Sequence, residues 1–170
     1  IPWHLYLTSM ALFIVAAGTD WLDGYFARKY GQVTTLGRIL DPFADKVIIC
    51  GTFIFLAAIP RMLETPWALR PWMVVVIVGR ELLVTALRSF LEERGADFSA
   101  KMSGKLKMLL QCVAAGASLF YLSYAASPIG QPALVWWTMV LSTWAAVILT
   151  VYSGLIYVTA AVKLLRQTAR

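Results

Sequence analysis

Long apolar runs separated by short charged clusters set the pattern of this chain. A helix needs about 20 mostly apolar residues to cross a bilayer, and five stretches qualify: residues 5–22, 39–59, 71–90, 106–126 and 133–157. Polar residues do not alternate with apolar ones inside them, and Pro132 to Val162 carries no charge at all, which excludes the two-residue period of a membrane β-barrel. A backbone in lipid must satisfy its own hydrogen bonds. The runs are therefore predicted helices, and the chain a single all-α integral membrane helical bundle, residues 1–170.

Composition agrees. With 60% hydrophobic and only 14% charged residues and a mean hydropathy of +0.72, a water-soluble fold is excluded. The charges give the orientation, because Lys and Arg accumulate in cytoplasmic connections. The first connection holds Arg28, Lys29 and Arg38, with Lys46 just beyond; the third holds Arg94, Lys101, Lys105 and Lys107 with three acids; the tail holds Lys163, Arg166 and Arg170. The second, with Arg61, Glu64 and Arg70, contrasts weakly, and the turn Ser127 to Pro132 has no charge. Connections one and three and the C-terminus are thus expected in the cytoplasm, which for five spans leaves the N-terminus outside. Ile1-Pro2-Trp3-His4 reads like the interior of something longer, and an earlier helix would return the N-terminus to the cytoplasm. No cleavable signal is expected, since the first apolar stretch runs straight into Asp20.

The remaining composition narrows the chemistry little. A net charge of +6, clustered on one face, suits anionic lipid headgroups and not nucleic acid. Cys50 and Cys112 fall inside predicted spans and indicate neither a disulfide nor a thiol metal site. Small residues at Ala114 to Ala117 and at Gly51, Gly79 and Gly154 are expected to allow close helix packing. Trp67, Trp72, Trp136 and Trp137 read as interfacial anchors, and His4 as irrelevant to chemistry.

Four of the nine acids fall between Asp20 and Asp45, at the edges of two spans, where charge is costly without a partner. Asp20 and Asp23 are three apart and Asp41 and Asp45 four apart, so each pair shares a helix face. If the two helix ends converge, four carboxylates face one another and their repulsion calls for cations. Hard oxygen ligands select Mg²⁺, Mn²⁺ or Ca²⁺ over Zn²⁺, and two ions about 3.5–4 Å apart suit phosphoryl transfer. The bland alternative is that these aspartates cap helices or pair with Arg28, Arg38 and Lys46; Asp41 before Pro42 does read as an N-cap followed by proline at the first helical position. Gly24 and Gly37 let a ligand approach the backbone, Ala27 continues the aspartate face at small size, and Arg28 can grip phosphate at two points.

Asp20-Trp-Leu-Asp23-Gly24-Tyr-Phe-Ala27-Arg28, then eight residues, then Gly37-Arg-Ile-Leu-Asp41-Pro-Phe-Ala-Asp45, resembles the CDP-alcohol phosphotransferase signature D-x2-D-G-x2-A-R-x8-G-x3-D-x3-D at every specified position. The resemblance implies a membrane enzyme that displaces CMP from a CDP-alcohol, with six helices, of which five are visible here and the first is missing or truncated. It implies that Asp20, Asp23, Asp41 and Asp45 hold two divalent cations, Mg²⁺ or Mn²⁺, that Asp45 also takes the acceptor's proton, and that Gly24, Ala27, Arg28 and Gly37 line the nucleotide site. A homodimer is usual in such families.

Arg80 and Glu81 interrupt the apolar run Val74 to Leu87, so Arg80 must face the bundle interior. It lies about 12 Å along the helix from Arg88, and with Lys105 and Lys107 the two arginines make a basic mouth suited to a phosphate on the acceptor. The alternative is that Arg80 only pairs with Glu81 or an aspartate across the bundle. The string Gly79-Arg80-Glu81-Leu-Leu-Val-Thr85-Ala-Leu-Arg88, then Ser103-Gly104-Lys105-Leu-Lys107, looks like the bacterial phosphatidylglycerophosphate synthase branch. That branch implies CDP-diacylglycerol and glycerol 3-phosphate as substrates and a bacterial cytoplasmic membrane with the active site facing the cytoplasm. Rival readings are another acceptor, inositol phosphate or serine, and a divalent-cation transporter, which would want acids on further helices.

Overall fold

The structure, a computed structural model, describes the backbone of residues 1–29, 35–92, 102–127 and 132–168 and the side chains of residues 1–19, 43–89, 106–127 and 132–163. Every regular element among them is helical: α1 (Trp3–Lys29), α2 (Thr35–Ala58), α3 (Pro60–Glu64), α4 (Pro71–Glu92), α5 (Met102–Ala125) and α6 (Ala133–Thr168). The five long helices take up the five apolar runs. The short α3, which the hydropathy pattern does not signal, opens on Pro60 in its first turn, where a missing N–H leaves nothing unpaired.

One local expectation is corrected. Helix α2 begins at Thr35 and runs through Asp41 and Pro42, so Asp41 is not an N-cap. Pro42 instead removes the bond to the carbonyl four residues earlier.

Helix α5 packs on α1, α2 and α6, α6 on α4, and α4 on α2, which also meets α1 and α3. The long helices thus form a closed ring in the order α1, α2, α4, α6, α5. Its interior holds Phe13 from α1, Phe53 and Leu56 from α2, Met73 and Ile77 from α4, Leu122 from α5 and Met139 from α6. The outside is apolar as well: Leu12, Ile54, Phe55, Val75, Leu82, Leu141 and Ile148 are all exposed. An apolar surface of that extent would be a liability in water and is what lipid requires. Leu106–Ala125 and Ala133–Lys163 are long and apolar enough to cross a membrane by themselves. Hydroxyls within the helices donate back to their own turn, as Thr52 does to the Ile48 carbonyl at 2.7 Å and Ser118 to Ala114 at 2.7 Å, so no polar hydrogen is left facing hydrocarbon at those positions.

The glycines do less than their sequence suggests. A Cβ at Gly51, Gly79 or Gly116 would meet nothing within 4 Å, so helices do not approach closely there. Close packing comes from Ala114, Ala115 and Ser118, which are fully buried, and from Gly154, where a Cβ would stand 3.1 Å from Cγ of Arg80.

At the α3 end of the bundle, Arg70 donates to the carbonyls of Leu63 and, at 3.2 Å, Thr65. Trp67 adopts a φ of 60°, a left-handed conformation uncommon outside glycine, and its carbonyl accepts a 3.1 Å bond from Trp144 Nε1. The rings of Trp67 and Trp72 lie 6.3 and 6.1 Å from that of Trp144, so two of the expected anchors are joined to α6. Replacing Arg70 by Ala removes both loop bonds and is expected to cost about 1–2 kcal/mol, read as a lower unfolding temperature in detergent.

Candidate active site

Helix α2 presents Asp45, Lys46, Ile49 and Cys50 on one face, at the i, i+1, i+4, i+5 spacing of a helical stripe. Helix α5 offers Lys107, Met108 and Gln111 in the same way, and α4 adds Glu81. These eight side chains line a cavity of about 130 Å³ inside the ring. Glu81 is its electrostatic centre: one carboxylate oxygen, Oε1, accepts from Lys107 Nζ and from Arg80 Nη1 at 3.3 Å. All three side chains are about nine-tenths buried. Gln111, also buried, donates to Thr150 of α6 at 3.3 Å.

A second group lies where α4 meets α6. Arg80 Nη2 donates to the Ser153 hydroxyl, and Arg88 Nη2 to the Tyr157 hydroxyl at 3.2 Å. Both guanidinium carbons lie over the Tyr157 ring, 5.7 and 5.9 Å from its centre. The Nε atoms of both arginines are buried and have no hydrogen-bond partner among the described residues. Arg80 therefore faces the interior as its sequence context requires, and links the Tyr157 ring it shares with Arg88 to Glu81 at the wall of the Asp45 cavity.

The described members of the basic set expected from the sequence are linked through shared partners: Arg80 and Arg88 through the Tyr157 ring, and Arg80 and Lys107 through Oε1 of Glu81 at the wall of the Asp45 cavity. The pairing of Arg80 with Glu81 also exists, and beside it Nε of Arg80 has no partner among the described residues. The side chains of Asp20, Asp23, Arg28, Asp41 and Lys105, and the surroundings of Gly24, Ala27 and Gly37, lie outside the described residues. Their backbones place Asp20 and Asp23 one turn apart near the end of α1, and Asp41 one turn before Asp45 in α2; α1 and α2 pack together. Among the described residues no group of three or more His, Cys, Asp and Glu is assembled. The donor chemistry fits hard divalent cations, since Asp45 supplies carboxylate oxygen and Asp20, Asp23 and Asp41 are residues of the same type.

Sequence reasoning missed Ser153 and Tyr157. They sit in the stretch Pro132 to Val162, which carries no charge to draw attention to it. The available signal was a hydroxyl pair at i and i+4 beside Gly154, polar groups a span keeps only where protein covers them.

A sequence profile of CDP-alcohol phosphatidyltransferases matches residues 3–152. The chain belongs to the CDP-alcohol phosphatidyltransferase family. It is 39% identical over 153 residues to the CDP-diacylglycerol–glycerol-3-phosphate 3-phosphatidyltransferase of Bacillus subtilis, covering 88% of this chain and 70% of that one. A probable phosphatidylglycerophosphate synthase of Mycobacterium tuberculosis is 39% identical over 166 residues, 96% of this chain and 71% of the relative. The Escherichia coli CDP-diacylglycerol–glycerol-3-phosphate 3-phosphatidyltransferase is 34% identical over 116 residues, 67% and 60% of the two chains. Asp45, Arg80, Glu81, Arg88 and Lys107 all fall inside the span that the family profile matches, whereas Ser153 and Tyr157 lie just beyond it.

Proposed function

We propose that this phosphatidyltransferase moves the phosphatidyl group of CDP-diacylglycerol to the primary hydroxyl of sn-glycerol 3-phosphate, releasing CMP and forming phosphatidylglycerophosphate. The names of its relatives support the two substrates. The observation that carries the acceptor is the half-buried Arg80–Arg88 pair, with a buried Nε on each that has no partner among the described residues, close to a cavity that holds a carboxylate. Two guanidinium groups with donors to spare call for an anion with several oxygens, and a phosphate monoester supplies it.

In this reading Asp45 accepts the proton of the acceptor hydroxyl as its oxygen bonds to the phosphatidyl phosphorus, and the bond from that phosphorus to the CMP oxygen breaks. Asp20, Asp23, Asp41 and Asp45 hold two divalent cations, Mg²⁺ or Mn²⁺, and Gly24, Ala27 and Gly37 leave room for the nucleotide. Such cations, when bound, supply positive charge for the pyrophosphate. Arg28 contributes a fixed charge nearby. Arg80 and Arg88 hold the acceptor's phosphate, Lys107 engages Glu81 at the wall of the Asp45 cavity, and Lys105 extends the basic entrance. In this reading the site faces the cytoplasm, which the basic residues near the helix ends support, and the enzyme works as a homodimer.

The test is CMP release by the purified protein in detergent with CDP-diacylglycerol. Release is expected to require sn-glycerol 3-phosphate, to fall at least about 100-fold on removal of divalent cations, and to return with Mg²⁺ or Mn²⁺. Equal release with serine or inositol phosphate would overturn the acceptor. Mg²⁺ flux into proteoliposomes without nucleotide would favour a transporter instead.

A further inference from the structure

Three residues of α6 form a seat for the two arginines. Ser153 accepts from Arg80, Gly154 leaves the space in which Cγ of Arg80 lies, and Tyr157 accepts from Arg88 while its ring underlies both guanidinium groups. They occupy positions i, i+1 and i+4, one face of the helix. Tyr157 is only 6% exposed, so its ring cannot swing aside. Two like charges in a membrane interior repel strongly, and a shared aromatic face attracts both.

We infer that Tyr157 is a positioning residue that makes the enzyme select a phosphorylated acceptor, by holding Arg80 and Arg88 at a fixed spacing against one ring. This rests on the reading that the two arginines receive the acceptor's phosphate. With the spacing fixed, the Nε donors on Arg80 and Arg88 that have no partner among the described residues suit an anion presenting several oxygens. An acceptor without that phosphate leaves buried donors unpaired, the kind of loss from which a site draws its strongest discrimination.

Tyr157→Phe removes the hydroxyl and keeps the ring; Tyr157→Leu removes both. In steady-state CMP release, the KM for sn-glycerol 3-phosphate and the inhibition constant of inorganic phosphate are expected to rise together, about tenfold in Tyr157→Phe and more in Tyr157→Leu. The KM for CDP-diacylglycerol should stay within about twofold and kcat should fall less than the acceptor KM rises. Parallel loss on both substrates, or a fall in kcat with the phosphate constants unmoved, would show a merely structural tyrosine and overturn the inference. If Tyr157→Leu does not fold, Tyr157→Phe decides alone. A wild-type enzyme that ignored sn-glycerol 3-phosphate would overturn the acceptor reading itself. A wild-type enzyme that used it, with both variants unchanged, would overturn only the role of Tyr157.

Discussion

Asp45→Asn is expected to abolish CMP release, with kcat lowered by about 10³-fold or more, while binding of a CDP-nucleotide stays measurable. The substitution keeps the shape of the side chain at the wall of a cavity it shares with Lys46, Glu81 and Lys107, so packing has little reason to change. What it removes is the ability to take a proton and a full negative charge. Loss of a general base alone costs about 10²–10⁴-fold, and Asn is a poorer ligand for a hard cation than a carboxylate. Asp20→Asn, which removes a proposed cation ligand without touching the base, should instead raise the Mg²⁺ concentration needed for half-maximal rate, with partial recovery at high Mg²⁺. The two are separated by titrating CMP release with Mg²⁺ at saturating acceptor. Activity of Asp45→Asn within about tenfold of wild type would remove Asp45 from the role of base.

The parts of this protein legible in its sequence are those fixed by the solvent. Lipid forces helices, so the apolar runs correspond to α1, α2, α4, α5 and α6. A charge inside such a run must turn inward, so Arg80 was placed correctly by cost alone. Its choice of partners was not legible, because pairing depends on which helices are neighbours around the ring. Lys107 illustrates this: the sequence groups it with Lys105 as part of a basic mouth, and only the neighbours of α5 in the ring give it Glu81 of α4 as a partner. Helix boundaries were misread where a local rule met a longer helix, as at Asp41-Pro42, which has the form of a helix start and lies six residues inside α2. The glycines failed for a related reason. Gly51, Gly79 and Gly154 are indistinguishable as letters, and only the path of α6 past α4 makes Gly154 the position where a side chain would collide. Residues that act through position and not charge, Tyr157 and Ser153 above all, leave almost no trace in a sequence pattern, whereas the four aspartates announce themselves through cost and spacing together.

Glu81 is expected to matter more to stability than either of the cations it pairs with. Its carboxylate accepts from Lys107 on α5 and from Arg80 on α4, and the pair with Lys107 ties α4, which packs on α2 and α6, to α5, which packs on α1, α2 and α6. Glu81→Gln leaves two buried cations without their counter-charge, and breaking a buried ion pair from one side costs about 3–5 kcal/mol. Lys107→Met leaves Glu81 still paired with Arg80, so its cost should be about 1–2 kcal/mol, the loss of one charge-assisted bond partly offset by apolar packing. In a chain of this size each kcal/mol lowers the unfolding temperature by about 2–4 °C, which puts Glu81→Gln about 10 °C below wild type and Lys107→Met only a few degrees below. The double variant Glu81→Gln/Lys107→Met should recover much of the larger loss, because only Arg80 then lacks compensation and Ser153 and the Tyr157 ring remain to hold it. Unfolding temperatures of the three variants in one detergent check the ordering. A Lys107→Met variant as unstable as Glu81→Gln would mean that Arg80 does not sustain the carboxylate, and that the centre of the cavity is a simple pair.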